Sequence, residues 1–511
     1  MGGESNRRDH RRKPLGASGP KPRRVQAPGE AFAETEPDLG TRRVVRFANE
    51  WQAPTARMPV HTLKSRLNHF AIRYPARLTV IVFAVLIFVI TGLLLLPISN
   101  ASGTPTPFVD AFFTAVSSVC VTGLTVVDTA LYWSFFGQVV LAIAIGLGGL
   151  GVMTMASLLA LVVSRRLGLT SRLLNMDAVC GNQTHLGDAW QLVIGVLVTT
   201  ITVEAGLFLL VFPAFAADQE DVGQAAWNAL FMSISAFNNA GFVNLPDGLT
   251  PYIGNWFVLF PLMLATVIGA IGFPVIVDLK RHWRAPRTWT LHTKITLTTY
   301  FGLLVITGIV VAALEWTNPY TFGPLNLSEK LLNSIVAAVN PRSVGISVID
   351  VSQMTGASWL ITDMSMFIGG GSGSHAGGVK VTTFTILLLA AWAEARGDHD
   401  VQTFGRRIPR VTVRQSIAVL LMASLLVASV TVILLMITPF TLDRVLFEVI
   451  SAFGTVGLST GITSALPSAA KILVAFLMVT GRVGPMTFAA ALALRQRKSF
   501  IRLPEERPIV G

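Results

Sequence analysis

Charge is what this sequence has least of. Only 13% of its 511 residues are Asp, Glu, Lys or Arg, about half the share of an ordinary soluble domain. A chain that is 52% hydrophobic and so poorly charged does not keep its surface in water, which excludes a soluble enzyme or binding module. Cysteine is nearly absent: Cys120 and Cys180 are the only two, too few for a disulfide framework or a metal cluster. There is no G-x-x-x-x-G-K-[ST] segment and no dinucleotide fingerprint ahead of a helix, so no nucleotide site is expected on this chain. Acids are scarce inside the apolar segments, where Glu204 stands isolated; a membrane enzyme would need clustered His, Asp or Glu. The first sixty residues hold no apolar run, so no cleavable leader is expected. Met1–Asn6 also lacks the hydroxyl that a myristoylation site carries at position six.

What charge there is leans basic, with a net +12. Nucleic acid is not the expected partner, because the basic residues sit between long apolar segments. Residues 1–60, with Arg7, Arg8, Arg11, Arg12, Lys13, Arg23 and Arg24, read as a disordered basic arm. Eight apolar segments follow, at 77–98, 134–163, 188–215, 252–278, 290–314, 357–394, 412–437 and 468–494, each near the ~20 residues a membrane span requires. Arg165, Arg166 and Arg172 share one loop, and Lys280, Arg281, Arg284 and Arg287 another. Arg396, Arg406, Arg407, Arg410 and Arg414 share a third, and Arg495, Arg497, Lys498 and Arg502 follow the last span. With eight crossings all four groups fall on one side. That side is cytoplasmic by the positive-inside rule, with both termini inside.

Between the spans lie four related stretches: Phe112–Asp128, Leu230–Leu245, Asn333–Asp350 and Leu446–Thr463. Each is a short apolar helix followed by a polar turn with one glycine: Gly123, Gly241, Gly345 and Gly457. The glycines recur every roughly 110 residues, the mark of an internal repeat. Helices of about seven to twelve residues cannot cross a bilayer and must be re-entrant. An unwound segment at membrane depth is tolerated only when buried in protein or lining a water-filled path. Four of them around one axis make a ring of carbonyls able to replace an ion's water shell. The expected fold is therefore an all-α polytopic membrane protein. It has four parallel repeats of span, re-entrant helix and span, with pseudo-fourfold symmetry around one pore. The modules are 65–170, 185–285, 288–395 with a broken second helix, and 408–498, followed by a tail at 499–511. Inverted repeats, which would indicate a substrate-coupled carrier, are not seen.

The ordered motifs resemble the Trk/Ktr/HKT cation transporters. VTGL at Val121–Leu124, AFNNAGF at Ala236–Phe242, PRSVGIS at Pro341–Ser347 and SAFGTVGLSTG at Ser451–Gly461 resemble that family's four filter regions. GGGSGSHAGGVKVTT at Gly369–Thr383 resembles its intramembrane gating loop, and GRVGPMT at Gly481–Thr487 its final-helix motif. The likeness spans residues 65–498 and is nearest to the Ktr-type bacterial potassium subunit. It implies potassium uptake across the cell membrane and a homodimer seated on a ring of cytoplasmic nucleotide-binding regulatory subunits. Potassium would be the transported ion and sodium a candidate modulator or rival. The resemblance places the filter at Val121, Thr122 and Gly123; Asn239, Ala240 and Gly241; Ser343, Val344 and Gly345; and Thr455, Val456 and Gly457. It places the gate at Gly369, Gly370, Gly371, Ser372, Gly373, Ser374, His375, Ala376, Gly377 and Gly378, with Lys380 and Arg482. In the family a serine at the first filter glycine accompanies sodium transport, so Gly123 favours potassium. Ile346-Ser347 replaces the usual Phe-Asn, Ser372 the usual Pro, and His375 the usual Thr.

Several side chains carry expectations of their own. Thr122, Asn239, Ser343 and Thr455 either orient or supplement the carbonyls or are plain turn residues. Asp110, Glu329 and Asp443 stand where acids suit a helix N-terminus. Arg342, inside the third turn, is expected to point away from the ion path toward a carboxylate, Glu448 or Asp350. His375 is either a pH-sensitive group or a satisfied polar side chain. Six of the ten residues Gly369–Gly378 are glycine. A helix interior loses ~1 kcal/mol at each, so the sixth span should break there and supply a movable plug.

Overall fold

The computed structural model describes residues 75–166 and 186–484. The basic arm 1–60, Arg172, Pro485 and everything after it lie outside the described residues. The described chain is helical: α1 Pro75–Leu94, α2 Phe108–Val119, α3 Phe135–Arg166, α4 Leu186–Asp218, α5 Val222–Phe237, α6 Trp256–Ile271 and α7 Phe273–His282. There follow α8 Leu291–Glu315, α9 Leu327–Val339, α10 Gly356–Phe367, α11 Val381–Arg396, α12 Arg410–Ile437, α13 Leu442–Gly454 and α14 Ser468–Val483.

Among the described residues, three helical segments are long and apolar enough to cross a membrane: Val193–Asp218, Leu291–Glu315 and Arg410–Ile437. The bent pair α6–α7 makes a fourth. The other expected spans are α1 and α3, whose described apolar stretches are shorter, the broken pair α10–α11, and α14. Mid-helix, Phe88, Leu210, Ile309 and Leu425 stand 62–70% exposed. Apolar side chains in that number turned outward require an apolar surrounding.

The short helices α2, α5, α9 and α13 have 12, 16, 13 and 13 residues. At 1.5 Å per residue they reach ~18–24 Å, still short of a bilayer core. Three exceed the expected seven to twelve, because polar first turns extend the apolar part. Asp221 caps α5 by accepting from Gly223 N–H at 2.8 Å. Asn326 and Glu329 form a reciprocal capping box on α9. Of the three acids expected to cap, only Glu329 does so by that geometry. Asp443 and Asp110 lie in the first turns of α13 and α2, where acids suit the helix N-terminus, and Asp110 also pairs with Lys471.

Each of the later short helices leans on a helix that precedes it in the chain. Trp227 of α5 donates to Gln138 of α3 at 2.8 Å, and Ser328 of α9 accepts from Trp256 of α6 at 3.0 Å. Phe447 of α13 packs against Trp359 of α10. The series closes on itself where Lys471 of α14 meets Asp110 of α2 at 2.8 Å. The core follows the same plan. One apolar cluster joins α1–α3 with α12–α14, and a second joins α4–α6 with α8 and α9. Removing one partner of the seam pair strands a partly buried charge. Asp110→Asn is expected to destabilise the protein in detergent by about 1–2 kcal/mol, between the exposed and buried limits. Adding Lys471→Met should recover part of the loss in a thermal melt; a double variant no better than the single would show that the pair is not the cause.

Two features depart from the sequence reading. The expected span 252–278 is not continuous: α6 and α7 meet at 96°, around Gly272 with φ +102°. The local signal is Gly272-Phe273-Pro274, a glycine able to turn with positive φ followed by a proline in the first turn of the next helix. A small hairpin also stands between α11 and α12, pairing Gln402 with Arg407 and Thr403 with Arg406 across Phe404-Gly405.

Candidate functional site

All four short helices end in one backbone pattern. A non-glycine residue turns left-handed, at Val121 (φ 54°), Asn239 (59°), Ser343 (80°) and Thr455 (48°). Two residues later a glycine does the same, at Gly123 (91°), Gly241 (73°), Gly345 (65°) and Gly457 (95°). Left-handed backbone strains a side-chain-bearing residue, and four such positions in register argue for a shared geometric demand. The residue between them ties back to its helix in three turns: Thr122 N–H to Ser117 O (2.8 Å), Ala240 N–H to Ser235 O (2.7 Å) and Val456 N–H to Ser451 O (2.8 Å). The Ser117 and Ser451 hydroxyls also accept from Gly123 and Gly457 N–H at 3.1 Å.

The four turns meet in a closed cycle. The space a side chain would need at Gly123 is taken by Ala240 O, at Gly241 by Val344 O, at Gly345 by Val456 O, and at Gly457 by Thr122 O. Each glycine thus lies against the carbonyl preceding the next glycine, and the fourth returns to the first. Conformation alone suggested these glycines; the close approach between turns is the stronger requirement and was not visible in sequence. Helix faces stripped of side chains back the turns. Gly148 lies against Val119 O, Gly149 against the Asn238 side chain, Gly269 against Phe237 O and Gly481 against Phe453 O.

The polar residues of the turns divide into two kinds. The Ser343 hydroxyl lies 2.6 Å from Thr455 O and 3.2 Å from Thr455 Oγ1, so it orients the neighbouring turn. Thr122 Oγ1 and both side-chain polar atoms of Asn239 are buried without a hydrogen-bond partner. Asn238, which sequence reasoning passed over, donates to Glu204 at 2.7 Å. Glu204 is therefore not isolated but supports the second turn, and being the lone acid in its segment was the available signal.

Arg342 corrects an expectation. It is fully buried and points away from the cycle, yet no carboxylate meets it among the described residues. Its guanidinium donates to the carbonyls of Ile368 (2.6 Å) and Ser365 (3.2 Å). Glu448 is held instead by Ser459 and Thr463, and Asp350 caps Ser352. Ends of helices expose free carbonyls, and the end of α10 offers Arg342 such acceptors.

The glycine-rich loop between α10 and α11 lies against the third and fourth turns, at Ser343, Gly454 and Thr455, and is mostly buried. It is tethered rather than free. Gly371 N–H donates to Ala270 O (2.8 Å) and His375 N–H to Gly269 O (3.2 Å), so the loop caps the carbonyl end of α6. Phe273 N–H, at the start of α7, donates to Gly373 O at 3.2 Å. Gly369 N–H donates to Val379 O at 2.8 Å, closing the loop's neck. Ser372 bonds Thr382 at 2.9 Å, and Ser374 donates to Gly371 O at 2.6 Å. Side chains at Gly370, Gly377 or Gly378 would meet Ala270 O, Thr455 or Gly454. Arg482 donates to His375 O, and Lys380 to Ala376 O. His375 is buried, with Nδ1 3.0 Å from Phe237 O and its ring edge-on to Phe237.

Comparison with known proteins agrees with this architecture. The family profile described as TrkH, cation transport protein, matches residues 55–501. Ktr system potassium uptake protein B of Bacillus subtilis is 37% identical over 440 residues, 86% of this chain and 97% of that protein. Potassium/sodium uptake protein NtpJ of Enterococcus hirae is 33% identical over 448 residues, again 86% and 97% of the two chains. The crystal structure of the potassium transporter TrkH from Vibrio parahaemolyticus superposes with a TM-score of 0.64 at 17% identity, covering 85% of this chain and 86% of that one. With the glycine turns, the short helices and the break between α10 and α11 all falling inside the matched region, the chain belongs to the TrkH family of cation transport proteins.

Proposed function

We propose that this chain is the channel-like membrane subunit of a potassium uptake system. The observation that carries the reading is the closed cycle of four glycine turns, each at the carboxyl end of a short helix. Backbone carbonyls gathered in a ring replace an ion's hydration shell. The negative ends of four helix dipoles favour a cation beside them. Eight crossings in four parallel modules, with both termini cytoplasmic, are the arrangement that puts all four turns on one axis. Val121–Gly123, Asn239–Gly241, Ser343–Gly345 and Thr455–Gly457 form the filter in this reading. The loop Gly369–Gly378, with Lys380 and Arg482, gates the path below it.

Relatives named for potassium uptake support potassium as the ion; one named for both potassium and sodium keeps sodium as the rival. A homodimer on a cytoplasmic nucleotide-binding ring is proposed from the family likeness. Its docking surface would be Arg165–Arg172, Arg396–Arg414 and the segment after Arg495, of which the basic hairpin loop and the end of α3 at Arg165 and Arg166 lie inside the described residues. Vesicles holding the purified chain, with potassium or sodium as sole permeant cation, test the function. Faster flux with potassium is expected; equal rates, or flux of sodium alone, would overturn potassium selectivity.

A further inference from the structure

The third turn is built differently from the other three. Where they carry Ser117, Ser235 and Ser451, it has Val339, which supplies no hydroxyl to the turn. A 3-10 turn at Asn340–Arg342 takes over, and Val344 N–H reaches back only to Asn340 O, at 3.3 Å. What holds this turn comes from the loop. Arg342 bonds Ile368 O at 2.6 Å, where the chain enters the loop. Its neighbour Ser343 accepts from Gly377 N–H at 3.2 Å, where the chain leaves it. One filter turn therefore grips both ends of the loop.

The Ser343 hydroxyl has a single proton to give. Its oxygen lies 2.6 Å from Thr455 O and 3.1 Å from Gly454 O, both in the fourth turn. Accepting the Gly377 N–H occupies one lone pair and fixes the hydroxyl's rotation, so the proton faces the fourth turn. Thr455 is itself left-handed, a conformation that persists only when its surroundings impose it. The next carbonyl, Val456 O, packs against Gly345 in the cycle. The corresponding residues of the first two turns have no such link: Val121 carries no hydroxyl, and the Asn239 amide is without a partner.

We infer that Ser343 is a specificity-determining positioning residue that couples the loop to the filter. With the loop docked, its hydroxyl holds the carbonyls of the fourth turn. When the loop leaves, that hold relaxes and discrimination between potassium and sodium falls. The inference rests on the proposed reading of the turns as filter and the loop as gate.

The test is a double-mutant cycle read as the potassium-to-sodium flux ratio of the full chain in vesicles. Ser343→Gly removes the hydroxyl while suiting a left-handed backbone; Ser343→Ala serves in its place if the glycine variant does not fold. Arg482→Ala loosens the loop from the other side by removing the donor to His375 O. Each change alone is expected to lower the ratio roughly two- to tenfold, the discrimination one neutral hydrogen bond carries. The double variant should be little lower than either single, because both act through one contact. A changed flux ratio in variants that insert and melt like the wild type is a readout that simple misfolding does not produce. Ratios unmoved by Ser343→Gly, or effects that multiply in the double variant, would overturn the coupling while leaving potassium transport standing. A wild-type chain that moves no potassium would overturn the proposed function and this inference with it.

Discussion

Gly123→Ser is expected to lower the potassium-to-sodium uptake ratio at least roughly tenfold and to slow potassium uptake as well. Two costs act together. The backbone at Gly123 has φ +91°, where a side chain costs ~1–2 kcal/mol. The added Cβ would be driven into Ala240 O and would lie 3.0 Å from Gly241 Cα. Ala240 cannot yield alone, because its turn is wedged against Val344 and so on round the cycle. The carbonyls therefore leave their common geometry, and each 1.4 kcal/mol of lost discrimination is tenfold in the ratio. Gly103→Ser is the control: φ is +69° and nothing lies within 4 Å of the added atom, so only local strain is introduced. Uptake of both ions by cells lacking their own potassium uptake would check it. An unchanged ratio in a normally inserted Gly123→Ser protein would remove this turn from the filter.

Deleting Gly370–Ala376 is expected to raise potassium flux severalfold and to weaken dependence on a cytoplasmic partner. The cut can be joined, since the space beside Gly369 is occupied by the carbonyl of Gly377. What the cut removes is the material beneath the turns, together with the carbonyl that Arg482 holds. Arg482→Ala should act in the same direction but less strongly, because Ala270 and Gly269 still grip the loop. The two changes share one interaction and should not add. Wild-type flux that stayed fully partner-dependent after the deletion would make the loop a passive hinge.

The four short helices and the glycine at each turn could be read from sequence because each turn makes the same one-residue demand. The break at Gly369–Gly378 was legible for the same reason, six glycines in ten residues. The bend at Gly272 was not. Gly272-Phe273-Pro274 permits a bend without requiring one, since the same span carries Pro261 without breaking, and here the fold puts the first N–H of α7 onto Gly373 O. Arg342 misled for a different reason. A buried guanidinium suggests a carboxylate, but the carbonyls at the end of α10 satisfy it, and no spacing in the sequence reports where a helix end will lie. The cycle of carbonyl on glycine was invisible as well, because its partners are set by packing between modules.

The contact between Asp110 and Lys471 joins residues 361 apart. At roughly 5–20 residues per second of synthesis, Lys471 emerges about 20–70 s after Asp110. Until then α2 sits in the membrane beside α1 and α3 with the side meant for α14 uncovered, its acid without a counter-charge. The other short helices follow the long helices they lean on, so each finds its neighbour already made. Biogenesis of this protein thus has a fixed last act. The cycle of turns stays open at this seam throughout translation and closes only when α14 reaches back to α2.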